Sequence, residues 1–195
     1  MGNIKTACAP EVVPSAKPYD VGFGDGTYAV KVEEAVRFED TSDDARESHC
    51  SDDMADGTAE RQGRMESANG DVYEGQLLDG KARGRGVCKH ADGSEYEGQY
   101  QDGRRDGIGF FRSISGSTYL GQFANGDFHG AGYYQGPDGR SYEGQYVHGL
   151  ESGDGILKTP DGRTYEGQWS KGRQHGIGTY TEPAKGSRDG EWAMG

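Results

Sequence analysis

The first residues of the chain carry a pattern that could receive lipid. Met1 to Thr6 read MGNIKT, which fits M-G-x-x-x-[ST], the sequence in which Gly2 becomes the N-terminal residue and accepts a myristoyl group. Cys8 follows closely, and its thiol could take a palmitoyl chain. The alternative is an ordinary N-terminus that happens to have Gly after Met and Thr at sixth place.

The two lipid groups matter together, because one myristoyl chain holds a protein to a bilayer only marginally and stable attachment needs a second acyl chain or a basic patch. Lys5 and Lys17 are the basic residues among the first twenty, against Glu11 and Asp20. The sequence therefore predicts lipidation at Gly2 and Cys8. It also predicts a peripheral, lipid-anchored location at the cytoplasmic face of the plasma membrane or of an internal membrane.

Residue patterns typical of enzymes and metal sites are missing from the sequence. Its three cysteines, Cys8, Cys50 and Cys88, are scattered and form no CxxC pair, which favours a reducing compartment over a disulfide framework. No Ser-His-Asp pattern, paired carboxylates or phosphate-binding loop stands out. The prediction is a protein that is not an enzyme, with no catalytic residue, metal ligand or cofactor.

A cluster of basic residues could meet an anionic lipid headgroup. It comprises Lys81, Arg83, Arg85, Arg104 and Arg105. Acidic residues interleave with it, namely Asp79, Asp102 and Asp106.

These residues belong to a segment built on one repeating unit of 23 residues. Tyrosine opens it five times, in YEGQL, YEGQY, YLGQF, YEGQY and YEGQW, and RDGEW at the end of the chain keeps the same period. The five opening residues are Tyr73, Tyr96, Tyr119, Tyr142 and Tyr165. Glycine recurs at the third, eighth, twelfth and fourteenth places, so a repeat architecture is the first structure to expect.

Alternation within the unit predicts strands. Places one, three and five carry Tyr, Gly and a large apolar residue, whereas places two and four carry mostly Glu and Gln, which is the period of two expected for a strand with one apolar face. Asp-Gly, Asn-Gly or a similar pair follows, as at Asp79-Gly80, and predicts a two-residue hairpin. A second turn comes near place twenty, as at Asp92-Gly93. In the last unit Glu182 to Gly186 replaces this pattern, which leaves that turn undetermined.

The pattern YEGxWxxGxxxGxGxxxxxDG resembles the MORN repeat, the "membrane occupation and recognition nexus" motif. The resemblance implies an all-β fold, a single-layer antiparallel β-meander of hairpin repeats. It divides residues 56–195 into a degenerate unit 56–72, full units 73–95, 96–118, 119–141, 142–164 and 165–187, and a partial unit 188–195. It also implies binding of a phosphoinositide headgroup, an amphipathic helix or a second copy of the module, the last giving a homodimer.

The part of the chain before the repeats is interpreted from its composition and charge. Net charge is -12, of which residues 1–72 carry most, and an acidic chain without a basic stripe is a poor candidate for binding nucleic acid. Residues 1–20 are predicted to be the anchor and a proline-containing spacer, and residues 21–55 an acidic, mostly disordered linker. No apolar run reaches the ~18 residues that a transmembrane helix needs.

The apolar face of the predicted sheet is its strongest functional feature. A single sheet cannot bury both of its faces, so we expect a partly open aromatic groove lined by Tyr96, Tyr100, Tyr119, Phe123, Tyr142, Tyr146, Tyr165 and Trp169. Such a groove predicts a scaffold or adaptor that recruits a cytoskeletal or membrane-associated protein. Two alternatives stay open: the rings stack on one another as a thin core, and the module recognises phospholipid through its basic residues.

Overall fold

The structure is a computed structural model that describes residues 61–193 of the chain. The predictions for Gly2, Cys8 and residues 21–55 therefore lie outside the described residues. Between 61 and 193 the chain forms twelve strands and no helix. The strands are β1 (Arg61–Glu66), β2 (Val72–Leu78), β3 (Lys81–Lys89), β4 (Glu95–Gln101), β5 (Arg104–Arg112), β6 (Thr118–Ala124), β7 (Asp127–Gln135), β8 (Ser141–Val147), β9 (Leu150–Lys158), β10 (Thr164–Ser170), β11 (Arg173–Glu182) and β12 (Gly186–Trp192).

The strands form one open antiparallel sheet in which every strand pairs with its neighbours in sequence. Two strands come from each 23-residue unit, and the short turns leave antiparallel pairing with the next strand as the direct outcome. Backbone pairing therefore joins adjacent strands, and the longer side chains reach only as far as the next unit, as expected of a repeat protein. The predicted all-β single-layer meander is confirmed.

The first turn of each unit is a tight two-residue hairpin. Asp79 and Gly80 have φ angles of 50° and 73°, and the matching pairs in the other four full units have the same left-handed conformation. This conformation at both central residues is that of a type I′ turn, whose twist matches that of the flanking strands. The undetermined turn of the last unit runs through Pro183 to Lys185 and ends at Gly186, with φ of 82°.

A bulge follows the first turn. Between β4 and β5 the register runs from Gly98↔Gly109 to Tyr100↔Arg105, so β5 carries two extra residues over that step. One of them, Gly107, has φ of 98°. The bulge opens the hydrogen-bonded ladder at a fixed place in each unit, and a side chain is needed to satisfy the released amide.

The two faces of the sheet differ in composition. We call the face that carries the tyrosines of place one the tyrosine face, and the opposite face, which carries Gln76, Gln99, Gln122, Gln145 and Gln168, the glutamine face. The buried apolar side chains of the sheet lie on the tyrosine face.

Candidate functional site

The tyrosine face is covered by interlocked aromatic rings. The ring of Tyr96 meets Tyr100 of its own unit edge to face, with centroids 5.2 Å apart, and Phe123 of the next unit at 4.9 Å. Each later unit repeats the pattern, ending with Tyr165 against Trp169 and Trp192 at 5.4 and 5.1 Å. Edge-to-face pairs of this kind contribute about 0.5–1.5 kcal/mol each beyond area burial.

Glycines make room for these rings. Tyr96 lies over Gly98 of its own strand and over Gly109 of the next strand, since a β-carbon at Gly98 would come 2.7 Å from Tyr96 Cζ and one at Gly109 would come 2.5 Å from it. The hydroxyl of Tyr96 then donates a hydrogen bond of 2.9 Å to the Gln99 carbonyl. Every full unit repeats this bond, so each tyrosine is fixed at both ends of its side chain.

The eight residues predicted to line a partly open groove form the core instead. Their exposure ranges from 0% at Tyr96 and Tyr119 to 8% at Tyr100 and Trp169. The rings cover one another because each place-one tyrosine is flanked edge to face by the place-five residues of two units and lies on glycine rather than on a side chain. The expectation that these residues present open aromatic surface is thus corrected, and the alternative of a thin self-stacked core describes them.

A second set of apolar residues on the tyrosine face remains half-exposed. These side chains stand in the same row as the place-one tyrosines and pack against the buried core: they are Phe111, Tyr134, Leu157 and Tyr180. Phe111 pairs with Tyr119, and Tyr134 pairs with Tyr142, so the set recurs on every second strand. Two strands span about 9.6 Å. All four residues stand at place sixteen of their units, which is the signal for this row in the sequence.

The glutamine face carries both glutamine side chains that bond to the backbone and apolar side chains. Oε1 of Gln99 accepts a hydrogen bond of 2.7 Å from the Ile108 amide, which the bulge releases, and three other units have the same bond. Phe110, Leu120 and Tyr133 are paired neighbours on β5, β6 and β7 and are half-exposed. This face was predicted from places two and four to be polar, but Leu120 at place two and Phe110 and Tyr133 at place fifteen add apolar side chains to it.

The five basic residues do not all lie on one face of the sheet, since Arg85 pairs with Gln99 and Arg105 with Tyr100. Lys81, Arg83, Arg85 and Arg104 are exposed. Arg105 instead lies on the tyrosine face, where its guanidinium carbon is 5.3–5.6 Å from the ring centroids of Tyr96, Phe111 and Phe123. It also donates a 2.8 Å hydrogen bond to the Gly126 carbonyl. The guanidinium of Arg105 therefore already interacts with the protein itself, unlike the four exposed basic side chains.

Three residues that the sequence did not connect meet at the first unit. Asp71, Cys88 and His90 place one side-chain oxygen, sulfur or nitrogen each within 4.8 Å of one another, a group that could hold a metal ion. The sequence predicted no metal ligand because its cysteines are scattered and form no CxxC pair. The spacing Cys-x-His was the available signal, since residues two apart on a strand lie on the same face.

No helix among the described residues 61–193 is long and apolar enough to cross a membrane.

Comparison with known sequences gives one family. The sequence model of the MORN repeat matches the chain five times, over residues 73–95, 96–118, 119–139, 142–162 and 165–182, which together make up more than half of its length. No curated protein sequence matches the chain.

Among solved structures, the chain is similar to the TCP domain of Drosophila melanogaster SAS-4 (dCPAP), solved in complex with a proline-rich motif of Ana2 (dSTIL). Sequence identity is 9%, the TM-score is 0.31, and the likeness covers 73% of this chain and 96% of that one.

Proposed function

The chain belongs to the MORN-repeat family, and from that premise we propose that it is a membrane-tethered adaptor that recruits a protein partner. MORN-repeat proteins are generally non-enzymatic repeat modules that bind membrane lipid or protein, and MORN repeats are often found at membranes. In the proposal, myristoylation of Gly2 and palmitoylation of Cys8 supply the anchor on the cytoplasmic face of a membrane. The repeat sheet supplies the binding surface.

The observation that carries partner recruitment is the half-exposed row Phe111, Tyr134, Leu157 and Tyr180. Its members lie about 9.6 Å apart across the strands. Two turns of an α-helix rise about 10.8 Å, so an amphipathic helix running across the strands would present one apolar position to each member of the row. The buried rings beneath form a rigid floor, which limits the entropy lost on binding.

An amphipathic helix of a cytoskeletal or membrane-associated protein is the occupant that this geometry favours. A second copy of the sheet is the other occupant that family resemblance suggested. Packing of a second sheet would bury a broad area rather than one row. A single substitution in the row should therefore weaken binding of a helix more than binding of a second sheet.

The alternative, direct recognition of phospholipid by the basic residues, has less support. Arg105 is held among aromatic rings, and the remaining basic residues Lys81, Arg83, Arg85 and Arg104 are interleaved with carboxylates along the turns. The overall charge of -12 opposes approach to an anionic leaflet.

The anchor is tested by the location of tagged full-length protein beside Gly2→Ala and Cys8→Ser, with mass spectrometry of the N-terminal peptide. We expect myristate on Gly2, release of Gly2→Ala to the cytosol, and weaker membrane retention of Cys8→Ser. An unmodified N-terminal peptide together with membrane-bound Gly2→Ala would overturn the acyl anchor.

The binding surface is tested by crosslinking in cells with full-length protein and its Leu157→Glu variant. A charge in the middle of the row should abolish specific crosslinks to a partner helix. Ile177→Glu is the matched control, because Ile177 is 72% exposed and pairs with Glu191, at the place that carries glutamine in the full units, on the glutamine face. Equal loss in both variants, or none in Leu157→Glu, would contradict the proposed surface.

Lipid recognition by the repeats is tested separately from the acyl anchor and the partner surface. In this experiment the non-acylated Gly2→Ala protein is mixed with vesicles that contain anionic phospholipid. Binding that weakens with added salt would favour the lipid alternative, because salt screens interactions between exposed charges. Failure to bind would favour the adaptor.

A further inference from the structure

Asp71, Cys88 and His90 converge at one side of the first full unit. Cys88 lies on β3, between Tyr73 of β2 and Tyr96 of β4, and is 8% exposed. His90 follows β3 directly, and Asp71 precedes β2. Nδ1 of His90 is 3.1 Å from Oδ2 of Asp71 and 3.8 Å from Sγ of Cys88.

These separations match the edges of a metal coordination tetrahedron. With bonds of ~2.3 Å to sulfur and ~2.0–2.1 Å to nitrogen and oxygen, tetrahedral angles place nitrogen and oxygen ligands ~3.3 Å apart and sulfur and nitrogen ligands ~3.6 Å apart. We propose that Asp71, Cys88 and His90 bind a Zn²⁺ ion, with water in the fourth position. One thiolate, one imidazole and one carboxylate are a ligand set that zinc accepts and that Mg²⁺ or Ca²⁺ does not favour.

The ligands are held by their surroundings, as metal ligands usually are. Oδ1 of Asp71 accepts a 3.0 Å hydrogen bond from the Ala91 amide, which turns Oδ2 toward His90. The backbone of His90 is fixed in the turn, since its amide donates to the Ser94 carbonyl at 2.8 Å and its carbonyl accepts from the Gly93 amide at 2.9 Å. The three donor atoms are therefore largely pre-positioned.

A catalytic arrangement of the same three residue types does not fit. In a Cys-His-Asp relay the imidazole contacts the nucleophile through one nitrogen and the carboxylate through the other. Here Cys88 and Asp71 both face Nδ1 of His90. Burial also raises the pKa of the Cys88 thiol, with the Asp71 charge adding to the effect, which is the reverse of an activated nucleophile.

The cluster breaks the repeat at three places at once. In the later units, the place of Cys88 is taken by Phe111, Tyr134, Leu157 and Tyr180, and the place of His90 by Ser113, Gly136, Thr159 and Glu182. The place of Asp71 is taken by Ser94, Ser117, Arg140 and Arg163. The proposed site therefore occurs once among the described residues 61–193. Binding replaces the thiol proton of Cys88, which leaves to solvent, by a sulfur–zinc bond.

The test is titration of the full-length, reduced and chelator-treated protein with Co²⁺, which reports a thiolate ligand through its charge-transfer absorption. We expect the band to saturate at one Co²⁺ per chain and to disappear when Zn²⁺ is added. Cys88→Ser should lose the band, whereas a variant with both Cys8→Ser and Cys50→Ser should keep it, because these two cysteines are not part of the cluster.

His90→Gln and Asp71→Asn cover the case in which Cys88→Ser does not fold. Each should weaken Co²⁺ binding at least about tenfold, the scale seen even for partners outside the metal's own ligand set. Circular dichroism would verify that each variant keeps its sheet. A wild-type protein without the band, or a band that survives Cys88→Ser, would overturn the proposal and leave a hydrogen-bonded cluster only.

Discussion

The ring of Tyr96 lies on the backbone of Gly109 in the adjacent strand, where a β-carbon would come 2.5 Å from Cζ of the tyrosine. The ring is itself fully buried and its hydroxyl is bonded to the Gln99 carbonyl, so it has little freedom to move away. The fourteenth-place glycine of each unit is thus required by an aromatic ring and not by its backbone angles.

Gly109→Ala should therefore lower the free energy of unfolding by about 3 kcal/mol, at the upper end of the usual cost of overpacking a core. Gly116→Ala is the control: its φ of 87° disfavours alanine, but no atom lies within 4 Å of the added carbon, so the cost should be about 1–2 kcal/mol. Urea unfolding followed by circular dichroism measures both. Equal losses would show that ring contact does not require this glycine.

Removal of the hydroxyl group should affect stability differently at Tyr146 and at Tyr119. The hydroxyl oxygen of Tyr146 is buried with no hydrogen-bond partner among residues 61–193, whereas Tyr119 donates to the Gln122 carbonyl at 2.9 Å. An unpaired buried polar group is costly, so Tyr146→Phe should leave stability unchanged or raise it by up to about 1 kcal/mol.

Tyr119→Phe should cost about 1 kcal/mol, because it removes a made hydrogen bond. The thermal unfolding midpoints of the two variants measure the difference. If the midpoint falls as far in Tyr146→Phe as in Tyr119→Phe, the hydroxyl of Tyr146 makes a hydrogen bond and the prediction is wrong.

Arg105 and Arg104 are adjacent but should contribute differently. The guanidinium of Arg105 lies near three aromatic rings and bonds the Gly126 carbonyl, so Arg105→Ala should destabilise the fold by about 1–2 kcal/mol. Arg104→Ala, at an exposed position, should stay within about 0.5 kcal/mol of wild type. Chemical denaturation tests the pair, and an unaffected Arg105→Ala protein would remove the structural role given to this residue.

The sheet should lose stability in alkaline solution. Burial raises the pKa of Tyr96, Tyr100, Tyr119, Tyr142 and Tyr146 above the ordinary value of 10.0. A raised phenol pKa means that the folded state keeps protons which the unfolded state releases. The resulting stability is complete below pH 10 and falls as pH rises beyond it.

Phenolate absorbance recorded together with circular dichroism should show these tyrosines ionising as the sheet unfolds. Ionisation of the buried rings near their ordinary pKa, with the sheet intact, would show that the tyrosine face is open to solvent.

Much of the fold could be predicted from the sequence because the strands and turns of the repeat depend on residues that are close together in the chain. Alternation around Tyr96, Gly98 and Tyr100 indicated a strand with one apolar face, and Asp79-Gly80 indicated the hairpin that its two left-handed residues form. Short turns then left neighbouring strands to pair in order. Each of these inferences depends on residues close together in the chain, where sequence spacing sets geometry.

Other features were decided by contacts between strands and between turns. Whether the rings of Tyr96 and Phe123 stand open or cover one another could not be predicted from the sequence, since that depends on how far each ring reaches across the glycines of the next strand. The sequence also did not predict that Arg105 lies against aromatic rings. Asp71 lies 19 residues from His90 in the chain, and only the pairing of β2 with β3 brings their turns together. The sequence by itself determined the strands and their order, and the tertiary structure decided which side chains those strands hide and which they bring together.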